Sequence, residues 1–406
     1  LKKIFKIKME KISYAKTVYG QKEIDAVVKC LNESTQMGNY SRKFESKIAN
    51  LFDKKSCLYV NSGSSALYIG IESFDFPKGS EVITPALTFG TTVGCLIKND
   101  LIPVFVDVEP LSYCIDPSQI EKMITDKTVA ILAPNLMGNI CKWEEISKIA
   151  KAFNLIIIED SADTLGGLIN GKSSGYYSDM SITSFYGSHI INCAGNGGAL
   201  MLNDERVINK AKLLRSWGRS SSLFDEKSEK IENRFNVDVG GIDYDAKFVF
   251  ETAGYNLEGN ELGAAFGLAQ LESLENNIEI RERNFKIQNE FFLQYDDVFS
   301  VPQQTKNTKT GWLAYPILIN KNTKFKRKDF QIFLEKRDIQ TRVVFTGNII
   351  RQPMMKNINY RTNDHGYPNA DAVMERGVLL PVHHGMKDSM FERLHKTIKE
   401  FLKHKN

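Results

Sequence analysis

The sequence predicts an α/β fold: a mostly parallel, seven-stranded sheet followed by a smaller C-terminal α/β domain. Three observations predict it. Between about residues 55 and 200, seven short apolar runs alternate with longer segments of helical spacing. One run, Leu155-Ile156-Ile157-Ile158, has no polar alternation, which suits a central strand covered on both faces. Beyond about residue 305, a second and shorter set of strand and helix patterns begins.

In chain order, strands are expected over residues 57–61, 81–84, 103–107, 128–133, 155–160, 180–185 and 198–202. Helical spacing covers 65–73, 117–124 and 143–153. Residues 205–255 are charged, Ser-rich at first and punctuated by glycine, which predicts a long surface excursion carrying functional loops. Over 258–295 the apolar positions Leu262, Ala265, Phe266, Leu268, Ala269, Leu271 and Leu274 predict one long linking helix. In the last part, strands are expected at 311–319 and 340–344 and helices at 328–335 and 390–402. The chain therefore divides into a large domain over 1–280, with an N-terminal arm over 9–40, and a small domain over 281–406.

Bulk properties exclude several function classes. Of 406 residues, 42% are hydrophobic, enough for a substantial core. A net charge of +4, with basic residues scattered, gives no sign of nucleic-acid binding. No apolar run is long enough to span a membrane. The first eight residues are basic but lack the apolar segment of a signal peptide, and Met9 is expected nearer the natural start. Six cysteines without CxxC pairs or zinc spacing predict reduced, partly buried thiols in a cytoplasmic protein, and no metal site.

Four motifs carry chemistry. Asn61-Ser62-Gly63-Ser64-Ser65-Ala66 follows a strand and opens a helix, where free N–H groups and the helix dipole attract a phosphate; the alternative is a plain helix cap. Phe89, in Thr88-Phe89-Gly90-Thr91-Thr92, offers a ring to stack on a flat heterocycle, or simply fills the core. Asp160, in Glu159-Asp160-Ser161-Ala162-Asp163, ends the most apolar strand, where an acid suits a ligand better than packing. Finally, Ser184-Phe185-Tyr186-Gly187-Ser188-His189 runs into Gly195-Asn196-Gly197-Gly198, a turn able to present a reactive side chain.

Taken in this order, the motifs resemble the DegT-type sugar aminotransferase family, with the aspartate-aminotransferase fold (fold type I of the PLP-dependent transferases). Gly38, Phe44-Glu45, Gly254-Tyr255-Asn256, Ala264-Ala265, Arg342 and Leu380-Pro381 extend the resemblance over nearly the whole chain. It implies a pyridoxal or pyridoxamine phosphate cofactor (PLP/PMP) and a homodimer. Gly63, Ser64, Ser65 and Ser184 would hold the phosphate, with Asn256 reaching in from a second subunit. Phe89 would stack on the ring, Asp160 would pair with its nitrogen, and Asp163 would sit near its hydroxyl. Asn39, Tyr40, Arg342 and Asn348 are expected to touch the sugar or diphosphate, and His383-His384 to lie near the substrate entrance.

One position departs from the pattern. Family aminotransferases carry at position 189 a lysine that links covalently to the cofactor; here it is His189. The PLP-dependent 4-keto-6-deoxy-sugar 3-dehydratases share that substitution, in GDP-type and CDP-type branches. The CDP type holds a [2Fe–2S] cluster on cysteines after a Trp-Gly-Arg sequence, whereas Trp217-Gly218-Arg219 is followed here by no cysteine at all. The resemblance implies an iron-free C3 dehydration of a nucleotide-linked 4-keto sugar, in dideoxysugar synthesis for surface polysaccharide. His189 would be the proton carrier and glutamate the amino donor. Two rival readings are a sugar aminotransferase with an atypical histidine and an inactive binding homologue.

Overall fold

The computed structural model describes residues 10–224 and 231–405. The basic stretch 1–8 and residues 225–230 of the expected surface excursion lie outside the described residues. No helix among the described residues is long and apolar enough to cross a membrane.

Seven strands form the central sheet: β1 (Ser56–Val60), β2 (Glu81–Pro85), β3 (Ile102–Val106), β4 (Thr128–Pro134), β5 (Ile156–Ser161), β6 (Met180–Ser184) and β7 (Gly198–Leu202). Their order is β1-β7-β6-β5-β4-β2-β3. Only β7 runs antiparallel, to both of its neighbours. As the apolar strand runs require, both faces are covered. On one face α3 (Gly63–Ser73), α4 (Gly90–Lys98) and α6 (Glu205–Arg215) bury Leu67, Ile71, Leu96 and Ile208 against Val82, Leu132 and Ile158. On the other, α5 (Trp143–Phe153) packs Trp143 and Ile146 on Ile83, Val104 and Ile131. Further along that sheet, α2 (Asn39–Leu51) and α7 (Glu261–Leu271) cover Tyr59, Phe185 and Met201. The first helix, α1 (Gln21–Glu33), lies on α7.

A three-stranded antiparallel sheet, β8 (Phe299–Ser300), β9 (Tyr315–Ile319) and β10 (Gly377–Leu380), builds the C-terminal part, with β9 in the middle. Helices α9 (Arg327–Glu335), α10 (Pro368–Arg376) and α11 (Asp388–Lys405) surround it, and Phe330, Leu334, Leu394 and Phe401 fill its core. Phe285 and Phe292 of α8 (Leu274–Phe292) join the same core, and Phe285 stacks on Trp312 at 4.6 Å. Such a ring pair contributes about 1 kcal/mol beyond the area it buries.

Five expectations are corrected. The long helix over 258–295 is two helices, α7 and α8, broken at Glu272 and Ser273. Residues 205–215 are not surface excursion: Val207, Ile208, Ala211 and Leu214 make one buried stripe of α6. The strand over 340–344 shrinks to a single bridge between Arg342 and Leu379. Beyond it the chain turns away, with Phe345 and Gly347 at φ 41° and 60°. The run 311–319 is a strand only from Tyr315, because residues 312–313 turn their backbone toward other partners described below. The helix expected over 117–124 is a four-residue α-turn, Pro117–Ile120, continued by a 3₁₀ turn.

Candidate active site

A cavity of about 350 Å³ opens at the carboxyl ends of β4, β5 and β6, where Pro134, Asp160 and Ser184 line it. That is the usual ligand position in an open α/β sheet. At one end stands the turn between β1 and α3. Ser62 caps the helix, its Oγ accepting the Ser65 N–H at 3.0 Å. The N–H groups of Gly63 and Ser64, first in the helix, have no acceptor within it, and both residues line the cavity. Glycine is required at position 63, since a Cβ there would stand 2.9 Å from that of Ser184. Ser65 is used differently from the expectation: its hydroxyl donates to Asn61 Oδ1 at 2.6 Å, tying the turn shut, and Ser62 lines the cavity in its place.

Asp160 and Glu159 end the same strand but face opposite ways. Glu159 is fully buried and accepts from Asn135, Ser161 and Ser181. Asp160 turns to the cavity, accepting from Thr92 Oγ1 at 2.8 Å and the Ala162 N–H at 3.1 Å. Burial raises its pKa, against the two hydrogen bonds that favour the carboxylate. A buried carboxylate so arranged, bonded but without a cation, suits a positively charged ligand atom. Asp163 accepts the Met137 N–H at 2.8 Å through Oδ2. Burial, with the Asp160 charge as a smaller contribution, pushes its pKa up to about 7. The turn that delivers this N–H holds Met137 and Gly138 at positive φ, 57° and 96°. A Cβ on Gly138 would stand 2.8 Å from Trp312 Cα, so only glycine lets the two segments meet.

Phe89 stands at the start of α4, 52% exposed, its ring edge-on to Phe345 at 5.8 Å. It is therefore a cavity wall and not core packing. His189 ends a tight loop in which its N–H donates to the Tyr186 carbonyl and the Gly187 N–H to that of Gly195, both at 2.9 Å. Its Nδ1 lies 3.1 Å from the Ser184 carbonyl. A carbonyl only accepts, so Nδ1 carries the proton and Nε2 of the neutral ring is left with its lone pair. Burial first, and the Arg281 charge after the opposing Ser184 bond, bring its pKa down to about 4. At neutral pH it is an uncharged base.

Residues 18–399 match the model of the DegT/DnrJ/EryC1/StrS aminotransferase family. The chain belongs to that family. Among its relatives, it is 33% identical over 375 residues to the dTDP-4-dehydro-2,6-dideoxy-D-glucose 3-dehydratase of Saccharopolyspora spinosa, covering 90% of this chain and 80% of the relative. It is 32% identical over 395 residues to the lipopolysaccharide biosynthesis protein RfbH of Salmonella typhimurium, covering 95% and 90%. A crystal structure of GDP-4-keto-6-deoxymannose-3-dehydratase with a trapped PLP–glutamate geminal diamine superposes with a TM-score of 0.84 at 26% identity, covering 95% of this chain and 99% of that one.

For this family member, Gly63, Ser64, Phe89, Asp160, Asp163, Ser184 and His189 meet in one cavity, while Ser65 and five other expected residues do not line it. Asn39 and Tyr40 open α2, bonded to Arg42 and Glu33. Asn348 is buried, capping the turn Ile349–Arg351 and donating to Asp371. Arg342 is exposed, its guanidinium 5.6 Å from the ring of Tyr14, which does line the cavity. Asn256 is exposed and bridged to Ser216, outside its own chain's cavity. His383 and His384 are packed behind the cavity wall and do not line it. Sequence reading missed Tyr14 and Ala15 of the arm, and Leu313 and Phe345 from beyond the large sheet. It also missed Thr92, although that residue stood inside the Phe89 motif and its role as a donor to Asp160 was open to inspection.

Proposed function

We propose that this chain is a PLP/PMP-dependent enzyme that removes the C3 hydroxyl of a nucleotide-linked 4-keto-6-deoxy sugar. One observation carries the reading. The side chain presented at the end of the Ser184 loop is a neutral histidine whose Nδ1 is held by the Ser184 carbonyl, and among the described residues no lysine lines the cavity. The cavity fits the cofactor: unpartnered N–H groups at Gly63 and Ser64 for its phosphate, the uncompensated Asp160 carboxylate for its ring nitrogen, and Phe89 for its face. When bound as the amine, the cofactor supplies an amino group for the sugar ketone and a ring that accepts electrons.

The chain's own residues then have separate tasks. Asp160, held by Thr92, keeps the ring nitrogen protonated. His189 Nε2 takes a proton from the carbon beside the ring and returns it to the departing C3 hydroxyl. With its pKa lowered, the ring is unprotonated at rest and so open to a proton, and once charged it gives that proton up readily. Glutamate restores the amine cofactor, in keeping with the glutamate adduct of the solved relative. Atoms balance as keto sugar plus glutamate giving 3-deoxy keto sugar, 2-oxoglutarate and ammonia. The reaction is iron-independent in this reading, because residues 217–250 contain no cysteine and all six cysteines are buried thiols elsewhere. Two copies assemble, and Asn256 completes the phosphate site of the partner, which explains why it is exposed in its own chain. A place in surface-polysaccharide synthesis accords with the name of the Salmonella relative, a lipopolysaccharide biosynthesis protein. The nucleotide is dTDP, GDP or CDP, the first being that of the Saccharopolyspora relative.

Incubation with pyridoxamine phosphate, glutamate and a panel of nucleotide 4-keto sugars tests this by product mass. A product lacking one oxygen, with ammonia released and no iron added, is expected. An amino sugar that retains its C3 hydroxyl would overturn it.

A further inference from the structure

Arg281 lies in the middle of α8, fully buried, immediately behind the cavity wall. Only neutral acceptors hold its guanidinium. Nε donates to His384 Nδ1 at 3.2 Å, and Nη1 to the carbonyls of Trp312 and Leu313 at 2.9 and 3.2 Å. Nη2 reaches the carbonyl of His189 at 3.5 Å, the longest of these contacts. No carboxylate pairs with it among the described residues, and its own pKa falls to about 10 through burial. A buried cation without an anion is costly, and apolar packing alone would be served by leucine or methionine. Two of its four partners, Leu313 and His189, line the cavity. The third backbone partner, Trp312, is clamped on Phe285 of the same helix.

We infer that Arg281 is a positioning residue: it fixes the backbone of His189 and Leu313 from behind, and its permanent charge adds to burial in opposing a second positive charge on the His189 imidazole. This rests on the reading of His189 as the base. Around His189 the other charged or titratable groups are His384 and His383 beyond β10, Tyr14 from the arm, Asp160 and Asp163 at the end of β5, and Tyr186 on its own loop, ring to ring at 6.0 Å. His383 and His384 are themselves brought down to about 4 and about 3, by burial first and Arg281 next, so neither is charged at neutral pH. The carbonyls of Ser184 and Ala162 favour the charged ring, and the two aspartates share the cavity with it. Arg281 is thus the fixed positive charge facing His189 from behind. The neutral state of His384 also accounts for its use as an acceptor through Nδ1.

The test is a histidine-ring NMR titration of the full-length protein, with the His189 signal assigned by its loss in His189→Asn, together with the pH profile of kcat/KM. In Arg281→Gln the His189 midpoint should rise by on the order of one pH unit, and the acid limb of kcat/KM should move with it. Arg281→Lys keeps the charge and should stay within about 0.3 unit of the natural protein, while losing activity through the broken fork. Should the Gln variant fail to fold, Arg281→Met leaves no unpaired donor and carries the same expectation. An unmoved midpoint in the neutral variant that folds, or an equal rise in the Lys variant, overturns the proposal. Because the titration reads His189 whatever reaction it serves, a wrong dehydration assignment would appear in the product and not in this measurement.

Discussion

The part of the cavity wall that carries Gly63, Asp160 and Ser184 comes from strand ends of a single sheet. The rest, carrying Tyr14, Leu313 and Phe345, comes from three segments that meet only in the folded chain. The first part is tied by short-range bonds: Ser62 to Ser65, Ala162 to Asp160, Ser184 to Tyr186. The second is tied at long range: Tyr14 N–H to Gln340, the Leu313 N–H to the Met137 carbonyl, Thr346 to the Thr88 carbonyl. The difference teaches where each task belongs. In the proposed reading, the groups for phosphate, ring nitrogen and base sit on a wall fixed by local chain geometry, and the sugar would meet a wall assembled from parts that can change independently.

If that division holds, the largest losses come from the strand-end wall. His189→Lys should lower dehydration about a thousand-fold, the scale of a lost acid–base catalyst, while the variant still binds the cofactor; a steady-state assay with an absorbance spectrum checks both. Next, Gly63→Ala forces a Cβ against Ser184 and should weaken pyridoxamine phosphate binding about tenfold or more, read by fluorescence titration with little change at saturating cofactor. On the second wall the expectation is milder and differently divided. Tyr14→Ala should raise KM for the nucleotide sugar about tenfold and leave kcat within about threefold, because the ring lines the cavity without touching the proton path. A loss confined to kcat would break the division.

A smaller effect concerns stability. Asp163 has a folded pKa raised to about 7, so the folded state binds its proton more tightly than the unfolded chain does. Its stabilisation is complete below the unfolded value and is lost as pH rises toward 7. His189, lowered to about 4, acts in the opposite sense: it stabilises above the unfolded histidine range and loses that contribution as pH falls. The two oppose each other in one window, so the difference between proteins is what matters. Between pH 4 and 7, Asp163→Asn should gain stability relative to the natural protein by a few kcal/mol in denaturant titrations without cofactor.

Legibility in the sequence followed the same division. The seven sheet strands could be read because each is apolar, short and bounded by turn residues; among the strand-end motifs the acid after four apolar residues stood out alone, whereas the Ser/Gly turn, equally a plain helix cap, gained its meaning from the motifs beside it. Tyr14 could not be read: nothing in Ser13-Tyr14-Ala15 announces that Ile12 will bridge to Ile339 and carry the arm across the cavity. Asn348 was expected to touch the substrate on the family resemblance, but its amide is used up on Asp371 and on capping a turn. Arg281 looked like any charged residue in a helix, since its burial depends on carbonyls more than thirty residues ahead.

The central claim is that His189 Nε2 carries the proton at the position where the family aminotransferases have lysine. It is tested most directly with pyridoxamine phosphate deuterated at its aminomethyl carbon, in a single turnover with the accepted keto sugar. The natural enzyme should release deuterium to water as the deoxygenated product forms, and His189→Asn, with cofactor bound, should do neither. Deuterium release by His189→Asn at the natural rate would contradict the account.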